Sequence, residues 1–178
     1  MLIDGLQCGY FDRAVFEDLR DGGFTCVTAT LGFWEGAVAS LDSIARWRDL
    51  ERDCAGVMRI VRSTGVIEAA AREGKVGILL GFQNANLLEG RVRFVELFAE
   101  LGVRVIQLTY NTQNELGGSC YEAEDSGLAR FGREVIAEMN RAGVLVDCSH
   151  VGERTTLDAI AASSKPIAVS HANAASLF

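Results

Sequence analysis

The sequence predicts an α/β chain folded as a TIM-type (β/α) barrel, with about six of the eight βα units present in a single domain over residues 1–178. Three observations predict it. Short apolar, β-branched runs alternate with helical stretches along the whole chain. Three helices close on a glycine that drops at once into a strand, at Glu73-Gly74, Leu101-Gly102 and Ala142-Gly143. Polar groups stand at five strand ends: Asp4/Gln7, Gln83/Asn84, Tyr110/Asn111, Asp147/His150 and His171/Asn173. A barrel collects its functional groups at that end. An open doubly wound sheet would carry a glycine-rich phosphate turn after its first strand, and Asp4-Gly5-Leu6-Gln7-Cys8-Gly9 is not one.

Taken in order, Leu2-Ile3-Asp4-Gly5 reads as a short first strand, followed by a helix from about Arg13 to Asp21. Phe24–Thr30 is the second strand. A helix from about Leu41 to Arg62 follows, with Ser40 as its N-cap and Ile44, Trp47, Val57 and Val61 as its apolar stripe. A helix over Val66–Glu73 leads into the third strand, Val76–Phe82. A helix over Val92–Leu101 leads into the fourth, Val103–Thr109. The segment from Thr112 to Ser126 is unusually long for a βα loop and carries Glu115, Glu122, Glu124 and Asp125. It reads either as a lid suited to a cationic or amine-bearing substrate or as a solvated surface. A helix over Leu128–Ala142 precedes the fifth strand, Val144–His150. The last helix, Thr155–Ser163, precedes Pro166, which opens the sixth strand where no ladder donor is needed. The sequence runs to Ser176-Leu177-Phe178 just after that strand. Six strands leave a barrel open, so the chain reads either as a fragment or as a homo-oligomer in which a partner covers the open edge.

Apolar residues make up 49% and charged residues 23%, the usage of an ordinary globular domain. A net charge of −7 argues against nucleic acid or an anionic membrane surface as partner. No apolar run approaches the roughly 20 residues that span a bilayer, and a first strand at Leu2 leaves no room for a signal peptide. The five cysteines, Cys8, Cys26, Cys54, Cys120 and Cys148, are odd in number and form no CxxC pair, which predicts reduced thiols in a cytoplasmic setting. Cys120, in a polar loop, is the candidate for an exposed thiol.

His150 and His171 are the only histidines. Each ends a short apolar run, so two imidazoles at the same end of successive parallel strands face one shared site. Imidazole is a common zinc ligand and titrates near neutral pH. The alternative for each is a core histidine bonded to backbone.

The stretch Gly127-Leu128-Ala129-Arg130-Phe131-Gly132-Arg133-Glu134-Val135-Ile136-Ala137-Glu138-Met139-Asn140-Arg141-Ala142-Gly143-Val144-Leu145-Val146-Asp147-Cys148-Ser149-His150, together with Ala168-Val169-Ser170-His171-Ala172-Asn173 and Gly102–Asn111, resembles the membrane (renal) dipeptidase family of zinc metallopeptidases. The resemblance covers nearly the whole chain. It implies a barrel that holds two zinc ions through a His-x-Asp pair on the first strand, a bridging glutamate on the third, one histidine each on the fifth and sixth, and an aspartate on the eighth. It places the fifth- and sixth-strand ligands on His150 and His171. The first-strand pair falls on Leu6 and Cys8, the bridging glutamate on Gln83, and the histidine that holds the substrate carbonyl on Tyr110.

Two close dications need a negative bridge, and Gln83 is neutral, so the expectation is one zinc ion rather than two, on His150, His171 and Gln83. Tyr110 is the candidate catalytic donor to a developing oxyanion. The plainer reading makes Tyr110 a strand-end aromatic, Gln83 a satisfied amide and Cys8 a small core residue. The resemblance implies a metal-dependent dipeptidase-like hydrolase acting on a dipeptide or small amide. The alternative is a diverged, peptidase-inactive member that binds or processes a small non-peptide ligand.

Overall fold

The computed structural model describes residues 1–174 and 177. Its strands are β1 (Ile3–Gln7), β2 (Cys26–Thr30), β3 (Met58–Ile60), β4 (Val76–Phe82), β5 (Val103–Gln107) and β6 (Leu145–Asp147). Its helices are α1 (Arg13–Asp21), α2 (Ala37–Asp53), α3 (Thr64–Arg72), α4 (Phe94–Leu101), α5 (Arg130–Ala142) and α6 (Glu153–Ala162), with a 3-10 turn at Ala85–Leu88. Every strand pairing is parallel, in the order β1-β2-β4-β5-β6. The short β3 lies beside the first half of β4, and β5 pairs with its second half. Beyond β6 one parallel bridge, Asp147 to Ala168, extends the sheet. The sheet curls so far that a Cβ built on Gly5 of β1 would stand 3.3 Å from the Ser170 carbonyl oxygen. A curled parallel sheet with helices between its strands is a partial (β/α) barrel, the class the sequence predicts.

The physical reason lies in the strands. β4, Val-Gly-Ile-Leu-Leu-Gly-Phe, is buried at every position but Leu79. Such a continuous apolar run can only sit where both sheet faces are covered. One core joins Val27, Ile78, Leu80 and Ile106 of the sheet to Phe16, Ile44, Trp47, Val95, Val135, Ile136 and Met139 of the helices. Each such fully buried side chain contributes roughly 1.5–3 kcal/mol. A smaller cluster holds Cys26, Val61, Ile67 and Ala70. The three helix-ending glycines adopt positive φ, +70° at Gly74, +111° at Gly102 and +71° at Gly143, the left-handed turn that lets each chain enter its strand.

Three expectations differ. The second helix ends at Asp53 rather than Arg62, because Met58–Ile60 forms the short strand β3. Val57 and Val61 match a helical stripe by their spacing of four, but they flank this strand, and Gly56 stands in the turn before it. Ser40 is not an N-cap: it lies inside α2, fully buried, with no partner for its hydroxyl. Gly36 occupies the N-cap, and Glu89 from after the 3-10 turn supplies the missing acceptor, taking the Ala37 amide at 2.8 Å. The sixth strand contracts to the Ala168 bridge, since Ser170 and His171 turn to bond Asp147 and Ser149. Ser176 and Phe178 lie outside the described residues.

Candidate metal centre

The two histidines meet. His150 Nε2 and His171 Nε2 stand 3.0 Å apart, with ring centroids 4.9 Å apart. His150 follows β6 and His171 follows the Ala168 bridge, so adjacency in the sheet becomes adjacency of the rings. The outer nitrogens are held as well. His150 Nδ1 lies 2.7 Å from Asn111 Oδ1, and His171 Nδ1 lies 2.8 Å from Ser170 Oγ.

The backbone at this corner is strained. His150 has φ +58° and Asn111 φ +62°, a region that costs a side-chain-bearing residue of order 1–3 kcal/mol. What holds His150 there is its own carbonyl. That oxygen accepts from the Cys120 amide at 3.0 Å, the Ser119 hydroxyl at 3.0 Å and the Thr109 hydroxyl at 3.2 Å. Three donors on one carbonyl fix the residue from the long loop and from the end of β5.

Beneath the pair lies Asp147, 1% exposed. Its Oδ1 accepts from the Ser149 amide, the Ser149 hydroxyl and the Ser170 amide, and its Oδ2 accepts from the Ser170 hydroxyl. Burial, then the His171 charge, hold His150 below the ordinary imidazole range, against a smaller pull upward from Asp147. His150 is therefore neutral at neutral pH, the form in which imidazole binds metal. Neighbouring Cys148 is pushed up to about 12, by burial first and by Asp147 second, so it is a neutral thiol at that pH.

Tyr110 lies beside the pair, its ring centroid 4.5 Å from that of His150, with Phe33 at 5.0 Å and Trp34 edge-on at 5.2 Å on its other contacts. Gln83 is buried at the end of β4 and donates from Nε2 to Thr30 Oγ1 at 2.9 Å, toward β2. No bond joins it to either histidine among the described residues. Leu6 lies within β1 and Cys8 directly after it, and the Asp4 carboxylate accepts from the Leu6 amide and the Gln7 side chain. Cys8 and Cys120 are exposed, whereas Cys26, Cys54 and Cys148 are buried. Among the described residues no three His, Cys, Asp or Glu side chains stand together as a ready metal-ligand group.

The long loop is built rather than loose. Asp125 accepts from the Thr155 amide, the Thr155 hydroxyl and the Gly127 amide, and Glu122 accepts from the Gln113 amide. Two of the four acids that suggested a cationic substrate are thus engaged in holding the loop. A cleft of about 800 Å³ opens beside the histidines, lined by Cys120, Tyr121, Val151, Leu157, Val169 and Asn173 among others.

The 3.0 Å spacing of the two Nε2 atoms is close to that of two nitrogen ligands on one metal ion. Two nitrogens on one tetrahedral zinc stand about 3.3 Å apart at ordinary zinc–nitrogen lengths, a few tenths beyond the distance here. Both rings have their Nδ1 occupied and their Nε2 turned to one point. Sequence reasoning placed His150, His171, Gln83 and Tyr110 in one site and Asn111 at the same strand ends, and missed Ser149, Ser170 and the Phe33/Trp34 wall as supports. The signal for two of them was present: Ser149-His150 and Ser170-His171 repeat one dipeptide.

Fold and site together define a partial (β/α) barrel with paired histidines at the C-terminal ends of its strands. The sequence pattern of the membrane dipeptidases (Peptidase family M19) matches residues 15–178, and the chain belongs to that family. An uncharacterized dipeptidase of Schizosaccharomyces pombe is 36% identical over 115 residues, 62% of this chain and 28% of that protein. The crystal structure of an amidohydrolase from Pseudomonas aeruginosa is 46% identical, with a TM-score of 0.93 over 96% of this chain and 52% of that one. A probable dipeptidase from the same organism shares the fold, with a TM-score of 0.84 at 19% identity. The chain spans about half the length of the P. aeruginosa amidohydrolase.

Proposed function

We propose that this chain is a metal-dependent, dipeptidase-like hydrolase acting on a dipeptide or small amide. The observation that carries the reading is the convergence of His150 and His171 through Nε2 in a family of dipeptidases. His150 and His171 would hold one zinc ion, with the Gln83 side-chain oxygen as the third protein donor. When bound, that ion supplies Lewis acidity toward an amide carbonyl. The chain's own groups do the rest. The Tyr110 hydroxyl donates to the oxygen on which charge develops. The Phe33 and Trp34 rings pack on Tyr110 and hold it beside His150. The cleft beside His150 receives the substrate.

Leu6, Cys8 and Gln83 stand where the family resemblance expects a His-x-Asp pair and a bridging glutamate. These replacements favour one ion over two. They also support a second reading, a peptidase-inactive member that binds or processes a small non-peptide ligand. A second copy of the chain is the partner proposed for the outer edges of the sheet, where Ile3 and Leu145 are exposed. The five unpaired cysteines support a reducing, cytoplasmic setting. No helix among the described residues is long and apolar enough to cross a membrane.

The experiment is zinc analysis of the purified protein followed by a panel of dipeptides, scored for free amino acids. One zinc with hydrolysis that Tyr110→Phe slows by 10-fold or more supports the first reading. Zinc without turnover of any dipeptide supports the second.

A further inference from the structure

We infer that Asp147 is a positioning residue that acts through the Ser170 hydroxyl to fix the tautomer of His171, so that its Nε2 lone pair is presented to the same point as that of His150. The inference deepens the proposed reading of this site and can be tested without it.

Ser170 has one hydroxyl proton. It donates that proton to Asp147 Oδ2 at 2.5 Å. The Ser170 oxygen also lies 2.8 Å from His171 Nδ1. With its proton committed, it can only accept there, so His171 carries its proton on Nδ1. His150 reaches the same state by another route. Its Nδ1 faces the Asn111 side-chain oxygen at 2.7 Å, an atom that only accepts. Both Nε2 atoms are thereby left with a lone pair, 3.0 Å apart and facing each other. Neutral rings in that arrangement repel, and a shared cation removes the repulsion.

Asp147 does more than hold one ring. Ser149 and Ser170 precede the two histidines, and all four hydrogen-bond donors of the two serines, two amides and two hydroxyls, end on this carboxylate. The His171 amide donates in turn to Ser149 Oγ. One buried anion thus sets the relative position of two Ser-His dipeptides 21 residues apart.

The relay has a polarity that an amide would invert. In Asp147→Asn the side-chain NH₂ can donate to Ser170 Oγ. The Ser170 proton is then free to point at His171 Nδ1, and the ring proton moves to Nε2. Ser170→Ala removes the acceptor altogether.

The experiment reads the imidazole nitrogens by ¹⁵N NMR in the metal-free protein at about pH 9, above the ordinary imidazole range, and titrates zinc by calorimetry. In the unaltered protein both rings are expected as the Nδ1–H form. Asp147→Asn and Ser170→Ala are expected to move His171, and not His150, toward Nε2–H. Zinc affinity is expected to fall roughly 10- to 100-fold, the usual loss when an outer partner of a ligand histidine is removed. Ser170→Thr, which keeps the hydroxyl, is expected to restore both. If Asp147→Asn fails to fold, Ser170→Ala and Ser170→Thr carry the test alone. An Nε2–H tautomer at His171 in the unaltered protein, or an unchanged tautomer in Ser170→Ala, overturns the inference. Absence of dipeptide hydrolysis leaves it standing, since the tautomer is read without metal or substrate.

Discussion

His150 Nε2 and His171 Nε2 face each other at 3.0 Å, although 21 residues separate them. Parallel pairing of β6 with the Ala168 bridge brings the two chain segments side by side. The rings then meet because each outer nitrogen is tied, one to Asn111 and one to Ser170. The strained φ of +58° at His150 persists because three donors hold its carbonyl.

The first prediction concerns metal content. Zinc should bind with a stoichiometry of one, and either His150→Ala or His171→Ala should reduce its affinity by 100-fold or more, since a single imidazole and a neutral amide remain. Elemental analysis and calorimetry read both. Two zinc ions per chain, or a double His150→Ala/His171→Ala variant that keeps its ion, would show that the metal lies elsewhere.

A second prediction turns on Gln83. Gln83→Glu is nearly isosteric, so packing should barely notice it. The change loses the donated bond to Thr30 Oγ1, which the Thr30 hydroxyl can replace by donating instead. A new negative charge near a dication is worth a few kcal/mol at an effective dielectric of about 20, less the cost of burying the carboxylate. Zinc affinity should rise at least tenfold, about 1.4 kcal/mol, with the stoichiometry unchanged because Leu6 and Cys8 still offer no pair. Equal affinities in the two proteins would mean that Gln83 serves only its bond to Thr30.

The barrel class, β4, α1 and both histidines were legible in the sequence, each for a local reason. Val76–Phe82 is a continuous apolar run, and Asp12 caps α1 by accepting from the Val15 amide within three residues. What stayed hidden depends on distant partners. β3 is three residues long and exists because Val76, Gly77 and Ile78 pair with it. Gly36 and Gly152 begin helices without a side-chain cap because Glu89 and Asp125 arrive from elsewhere to provide one. The Asp147 network joins serines 21 residues apart. Sequence spacing carries no record of such long-range bonds, although the repeated Ser-His dipeptide marked this one.

Gly132 offers a steric test of how the long loop is seated. A Cβ there would collide with the Leu116 carbonyl oxygen and the Leu128 side chain. Backbone cannot yield as a side-chain end can. Gly132→Ala should therefore destabilise the protein by about 1–3 kcal/mol, although alanine is the better helix former by up to about 1 kcal/mol. Urea unfolding measures it, and a stabilised variant would mean that the loop does not pack on α5.

Gly152 and Asp125 should be energetically coupled. Gly152 has φ −63° and ψ 155°, which any residue adopts, so alanine is not strained there. Its added methyl would instead overlap the Asp125 carboxylate. Gly152→Ala should cost about 1–3 kcal/mol alone and much less in an Asp125→Ala background. A double-mutant cycle that shows simple additivity would argue against the contact.

The last prediction is a pH dependence that follows from the same carboxylate. Burial works to raise the Asp125 pKa. The Thr155 hydroxyl, the Thr155 amide and the Gly127 and Arg154 amides outweigh it, so the folded value lies below the ordinary one. As pH falls the unfolded chain takes up its proton first. The charged cap therefore contributes fully above the ordinary Asp value of about 3.9, and its contribution is lost as pH falls through the folded value. Asp125→Asn should cost about 1–3 kcal/mol at neutral pH, the loss of bonds to a charged acceptor. Chemical unfolding of both proteins from neutral pH downward should show this gap constant until about pH 4 and shrinking below it. A gap that stays constant to acid pH would mean that the loop is held by shape alone and that the Asp125 charge has no part in capping α6.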